Sequence, residues 1–140
     1  MALEVLLSKS IISADYASLV LRIILGIIFI AHGWPKLKNL KGTAGFLGSI
    51  GFKPVMFWAF ILAAAEFFGA LAILCGFYST LASSILIVSM LVATYLKAFV
   101  WKAGFAINPK NPNGYEFDLL IIASLIALIL LGPGRFVLSF

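Results

Sequence analysis

The sequence predicts an all-α fold: a membrane-embedded four-helix bundle with short connections and an interfacial amphipathic segment. Three observations carry that prediction. The chain is 64% hydrophobic and only 11% charged, where a soluble domain carries about 45–50% and about 25%. Its 10 basic and 5 acidic residues cannot cover the surface of a soluble protein of 140 residues. Finally, four apolar runs of ~17–21 residues match the ~30 Å hydrocarbon core, and they are apolar all round, without the polar outer face of a soluble bundle helix. At this length a single domain over residues 1–140 is expected.

The segment Met1 to Ser13 carries Glu4 and Lys9 among aliphatic residues. It lacks a basic n-region and a small-residue cleavage site, so it reads as a short helix lying on the membrane rather than a cleaved signal. The first span runs over about 16–34, with Pro35 as its expected end, because proline disfavours helix at the residue before it. In the first connection Leu37, Leu40, Ala44 and Leu47 recur at helical spacing with Lys38, Lys41 and Thr43 between them, the pattern of an interfacial amphipathic helix. Gly42, Gly45, Gly48 and Gly51 weaken that helix and leave a broken or re-entrant segment as the alternative. The second span, about 55–75, follows Pro54, a suitable helix start. An uncharged turn leads to the third span at about 80–96. Between Gly104 and Gly114, Asn108-Pro109 and Asn111-Pro112 mark an ordered loop, the candidate lid. The fourth span, about 115–131, stops before Gly132-Pro133-Gly134.

Charge sets an expected orientation. Lys36, Lys38, Lys41 and Lys53 flank the first connection, and Lys97, Lys102 and Lys110 the third; the other side has Lys9 and Arg135. The positive-inside rule then puts the first and third connections in the cytoplasm of a cell (inner or plasma) membrane protein, with both termini outside. Charges at span ends suit lipid headgroups, not nucleic acid. The single cysteine, Cys75, supplies no disulfide or CxxC pair, and His32, the single histidine, supplies no bis-histidine haem. No metal-ligand spacing is present.

Glu66 lies near the centre of the second span, where a charged carboxylate costs ~2.5–3.5 kcal/mol. It must be neutral, paired or beside a wet cavity. Arg22, close to the midpoint of the first span, is the expected partner, and the pair reads either as a bundle-specifying salt bridge or as a ligand or proton site. Gly26 and Gly33 follow Arg22 on one face, and Gly69 and Gly76 follow Glu66, so both helices are thin enough for close packing. A second group gathers at the expected cytoplasmic ends: His32, Lys36, Lys97, Glu116 and Asp118. Snorkelling lysines and first-turn acids explain it structurally; a polar ligand pocket with His32 as proton carrier is the functional reading. Trp34, Trp58 and Trp101 lie near span ends as an aromatic belt.

Taken in order, Arg22-x3-Gly26-x6-Gly33-Trp34-Pro35-Lys36-Leu37, Gly51-Phe52-Lys53-Pro54, Glu66-Phe67-Phe68-Gly69-Ala70-Leu71, Leu74-Cys75-Gly76-Phe77-Tyr78-Ser79-Thr80, Gly114-Tyr115-Glu116 and Leu131-Gly132-Pro133-Gly134 resemble the DoxX family of small four-helix membrane proteins. The resemblance spans about 17–138 and rests on the order and spacing of these pieces. It implies membrane redox chemistry, including the quinone-reducing oxidation of thiosulfate, and a place in oxidative-stress complexes. By position, the family's polar sites fall on Arg22, Lys36, Glu66 and Glu116.

Three functions follow as expectations. The first is a quinone-associated subunit of a membrane oxidoreductase, with quinone as its cofactor and a soluble or peripheral redox partner carrying the electron donor. The second is a small-molecule or lipid carrier using a buried Arg22–Glu66 site, for which four helices are few unless the chain forms a homo-oligomer. The third is a non-catalytic scaffold in the lipid bilayer.

Overall fold

The computed structural model describes residues 1–138, apart from the side chains of residues 2, 6, 7 and 11. It is all-α, with α1 (Ala2–Lys38), α2 (Leu40–Ser49), α3 (Val55–Cys75), α4 (Ser79–Tyr95) and α5 (Glu116–Leu131). A π-helical turn, Leu96–Val100, extends α4. Leu3–Lys38, Val55–Cys75 and Ser79–Val100 are each long and apolar enough to cross a membrane. The remaining helix of the bundle, α5, has 16 residues and is about 24 Å long. The helices close a ring in which α1 packs on α3, α3 on α4, α4 on α5 and α5 on α1, while α2 docks on α3.

Two boundaries differ from the sequence reading. The N-terminal segment is no separate surface helix; it continues into α1, since no glycine or proline interrupts residues 2–25. Nor does Pro35 end the span, because α1 runs through it to Lys38. A proline costs a helix one hydrogen bond, that of its own N–H; beyond it the helical ladder resumes, with Asn39 donating its N–H to Pro35 O, and Lys38 Nζ lies 4.8 Å from the Trp34 ring centre. The amphipathic segment forms as α2, capped by the Asn39 side chain on Gly42 N–H. Its apolar face, Ala44 and Leu47, packs on Ala59 of α3.

Along its axis the bundle has three layers. The middle is apolar: Leu25 and Phe29, Ala70 and Ile73, Ala82 and Leu86, Ile121, Leu125 and Leu128. One polar layer lies at the Gly76–Tyr78 turn and the other toward the end that carries α2 and the 101–115 loop. Arg22 and Glu66 fall in different polar layers, which overturns the expected ion pair.

Arg22 is 1% exposed and binds only backbone oxygens. Its Nε donates to Ile73 O and Nη2 to Leu74 O, at 2.8 and 2.6 Å, so the guanidinium caps the C-terminus of α3. A cation there meets the negative end of the helix dipole. Its Nη1 donates to Pro133 O and Phe136 O, fastening the segment after α5 over the same end. Ser18 Oγ–H to Gly132 O, Leu138 N–H to Cys75 O and the Asp15–Arg135 ion pair complete the fastening. Gly76 makes the site: its φ of +76° suits glycine, and a Cβ would stand 2.8 Å from Arg22 Nη2.

The close approach of α1 to α3 sets the register. An added Cβ on Gly33 would lie 2.7 Å from Phe67 N, and one on Gly26 would overlap the Leu74 side chain. That register carries Lys36, not Arg22, to the level of Glu66. Arg22→Met should lower the unfolding free energy by about 2–4 kcal/mol, since four buried carbonyls lose a charged donor. The Arg22/Glu66 double-mutant cycle should couple by less than about 0.5 kcal/mol. Denaturant unfolding in mild detergent measures both.

Candidate functional site

Glu66 projects from the middle of α3 and is 4% exposed. Both of its carboxylate oxygens lie 2.6 Å from Lys36 Nζ of α1, a two-pronged ion pair. Ser89 of α4 donates its hydroxyl to Oε1 at 3.3 Å. The carboxylate is thus satisfied from two neighbouring helices, as its depth requires. The same layer holds a second pair: Lys97 Nζ of the π turn lies 2.8 Å from Asp118 Oδ1 in the first turn of α5. The π turn, closed by Trp101 N–H to Leu96 O, adds a residue to the helical repeat where Lys97 meets α5.

Two cavities flank this layer. The larger, about 430 Å³, is almost wholly apolar and lies between α3, α4 and α2. Phe46, Phe52, Trp58 and Trp101 are its aromatic walls, and Lys36, Glu66, Ser89 and Lys97 its polar limit. Ile61, Ile85 and Val88, also on its walls, are exposed on the outside of the bundle, so it opens sideways between α3 and α4. The smaller cavity, about 180 Å³, lies between α1, α4 and α5 and is lined in part by His32 and Asp118.

Of the residues singled out from the sequence, Lys36, Glu66, Lys97, Asp118 and His32 come together here. Arg22 does not. Glu116 is also elsewhere: its carboxylate accepts Ile107 N–H at 2.9 Å, and its own N–H donates to Phe105 O. Those bonds and the Asn111 amide, which donates to Gly104 O and Ala106 O, order the connection between α4 and α5. Gly26, Gly33, Gly69 and Gly76 lie at close contacts, Gly69 against Leu86. Among the described residues, no group of three or more His, Cys, Asp or Glu gathers to hold a metal ion.

Sequence reasoning missed Ser89 as a partner of Glu66 and the aromatic walls of the cavity. A signal for Ser89 was present: it and Glu66 stand at nearly equal distances from the turn Gly76–Ser79, and antiparallel helices joined by a tight turn bring such residues level.

The family model of DoxX matches residues 17–99, a stretch that contains α2 and α3, most of α1 and all of α4. The chain belongs to the DoxX family. Among DoxX relatives, the Bacillus subtilis (strain 168) protein named "Putative oxidoreductase CatD" is 32% identical over 123 residues, covering 86% of this chain and 82% of its own. The Escherichia coli (strain K12) inner membrane protein YqjF is 33% identical over 122 residues, 87% of this chain and 88% of its own. Inner membrane protein YphA of the same organism is 28% identical over 117 residues, 83% of each. No solved structure matches the chain.

Removing one member of a buried ion pair strands the other. Lys36→Met should therefore cost this DoxX protein about 3 kcal/mol, and Lys36→Met combined with Glu66→Leu should recover most of it. Thermal unfolding in detergent reads the four corners of that cycle.

Proposed function

We propose that this chain is the membrane subunit of a quinone-linked redox system of the inner membrane, with the larger cavity as the quinone site. The observation that carries the reading is the shape of its polarity: an aromatic, apolar slot that opens sideways and closes on Lys36, Glu66 and Ser89. A volume of about 430 Å³ suits a flat ring with the first part of a tail. A quinone, when bound, supplies two-electron, two-proton acceptor chemistry.

The chain's own part is to bind and orient. The ammonium of Lys36, which keeps an N–H beyond those on Glu66, is a donor for a ring carbonyl, and the Glu66 carboxylate is an acceptor for a ring hydroxyl. Trp58 and Trp101 give faces for stacking. The formal charges of Lys36, Glu66, Lys97 and Asp118 cancel, which suits a neutral head better than a phosphate. Exclusion of water by the apolar walls strengthens each of these polar contacts.

Electrons come, on this reading, from a peripheral redox partner. Cys75, at the C-terminal end of α3, is not among the residues that line this cavity. The name of the Bacillus subtilis relative, "Putative oxidoreductase CatD", and those of the two inner membrane proteins support the proposal. A carrier built on an Arg22–Glu66 site loses its footing, because those residues occupy different layers. The orientation with the first and third connections in the cytoplasm accompanies the proposal and places the site toward that face.

Titration with decylubiquinone in mild detergent should quench Trp58 and Trp101 fluorescence saturably, including in a Trp34→Phe background. Glu66→Gln should weaken that binding about tenfold, or about 1.4 kcal/mol. Mass spectrometry of small molecules co-purified with wild type and Glu66→Gln completes the test. Absence of saturable quenching and of any retained quinone would overturn the reading; a different retained amphiphile would make the chain a carrier, and bulk lipid alone a scaffold.

A further inference from the structure

The smaller cavity shares Lys36, Glu66, Ser89, Ala93 and Lys97 with the larger one, so these residues form a partition between two spaces. What distinguishes the far side is Asp118. It is 4% exposed, and its Oδ1 accepts from Lys97 at 2.8 Å. Its Oδ2 accepts no hydrogen bond from any described residue, although it is buried on the cavity wall. A buried carboxylate oxygen requires a donor. The volume of about 180 Å³ has room for several waters at about 30 Å³ each, and the polar groups on its wall, His32, Lys36, Glu66, Ser89, Lys97 and Asp118, lie where waters can reach them. His32 lines the same space and is exposed on the outer side of α1, which places it at the mouth.

We propose that this chamber is a hydrated proton-exchange site joining Asp118 to Glu66, with His32 as its entry. The step starts from the two ion-paired carboxylates: a hydronium from bulk water gives its proton to the water chain at the mouth, the water beside Asp118 gives one to the free Oδ2, and that carboxyl then returns it to the chain as a water beside Glu66 gives one to a Glu66 oxygen. In that last exchange one carboxyl loses a proton, the other gains it, and the net charge is unchanged. The groups that face Glu66 are Lys36 and His32 from α1, Ser89 from α4, Lys97 from the π turn and Asp118 from α5. Lys36 and Lys97 stay as cations and stabilise whichever carboxylate is left ionised. The chamber and its exchange do not depend on what fills the larger cavity; only the delivery of that proton to a reducible ring rests on the quinone reading.

The test uses the full chain, in bilayers and without added quinone. Water-edited solid-state NMR on protein labelled at Asp and Glu carboxyl carbons should show polarisation passing from water to Asp118 and Glu66 as fast as to exposed Glu4. A rate for Asp118 far slower than for exposed Glu4 would overturn the proposal. Infrared spectroscopy under conditions in which the protonated Glu66 carbonyl band is present then follows that band after a jump into D2O. Asp118→Asn should slow that exchange by about tenfold. Ile28→Phe, which fills the chamber from α1 and keeps both carboxyls, should slow it as well and remove the water signal at Asp118. Unchanged exchange in both variants, or in Ile28→Phe alone if Asp118→Asn fails to fold, overturns the path.

Discussion

Burial of charge is the constraint on which the rest of this structure depends. Five ionisable side chains lie inside or just within a bundle whose outside is apolar, and each finds its counter-group on another part of the fold. Lys36 answers Glu66, Lys97 answers Asp118, and Arg22 spends its guanidinium on four carbonyls. None of these contacts is local in sequence. Each therefore fixes how two helices slide past one another, and the α1–α3 register at Gly33 is the one that brings Lys36 to Glu66. The apolar layer between them keeps the two polar layers apart.

Much of this was legible in the sequence because it rests on period and composition. Run length and overall hydropathy locate four helices, and the spacing of Ala44 and Leu47 locates the small one between the first two. Glu66 declares itself by its depth. What the sequence hides is register. Arg22 and Glu66 look level when each is measured from the midpoint of its own run, but α1 runs on through Pro35 and its true extent moves every level along the helix. The helix end that receives Arg22 is likewise silent, since backbone carbonyls leave no mark in a sequence. Glu116 and Asp118 differ by two residues, yet one ties a loop and the other enters the core layer. Helical spacing alone puts such a pair on different faces; only the neighbours say which face is inside.

The partition formed by Lys36, Glu66, Ser89 and Lys97 gives the site two sides of different character. One is aromatic and open toward lipid, the other smaller, with His32 and Asp118 on its wall. A group standing on such a boundary can hold a ligand on one side while it is solvated from the other. That division also separates roles among the helices: α3 and α4 shape the slot, whereas α1 and α5 supply the groups behind it.

The fastening at Arg22 has a consequence for the order of biosynthesis. Ile73 and Leu74 emerge from the ribosome long before Pro133 and Phe136, so the guanidinium is inserted with half of its acceptors still to be made. Until the closing segment arrives, α1 carries an incompletely satisfied cation, and Ser18 and Asp15 also lack their partners. Assembly of the first two spans is thus held provisional until translation is almost finished. A prematurely terminated chain would retain its hydrophobic spans and yet expose that unmet charge to the membrane's quality-control proteases.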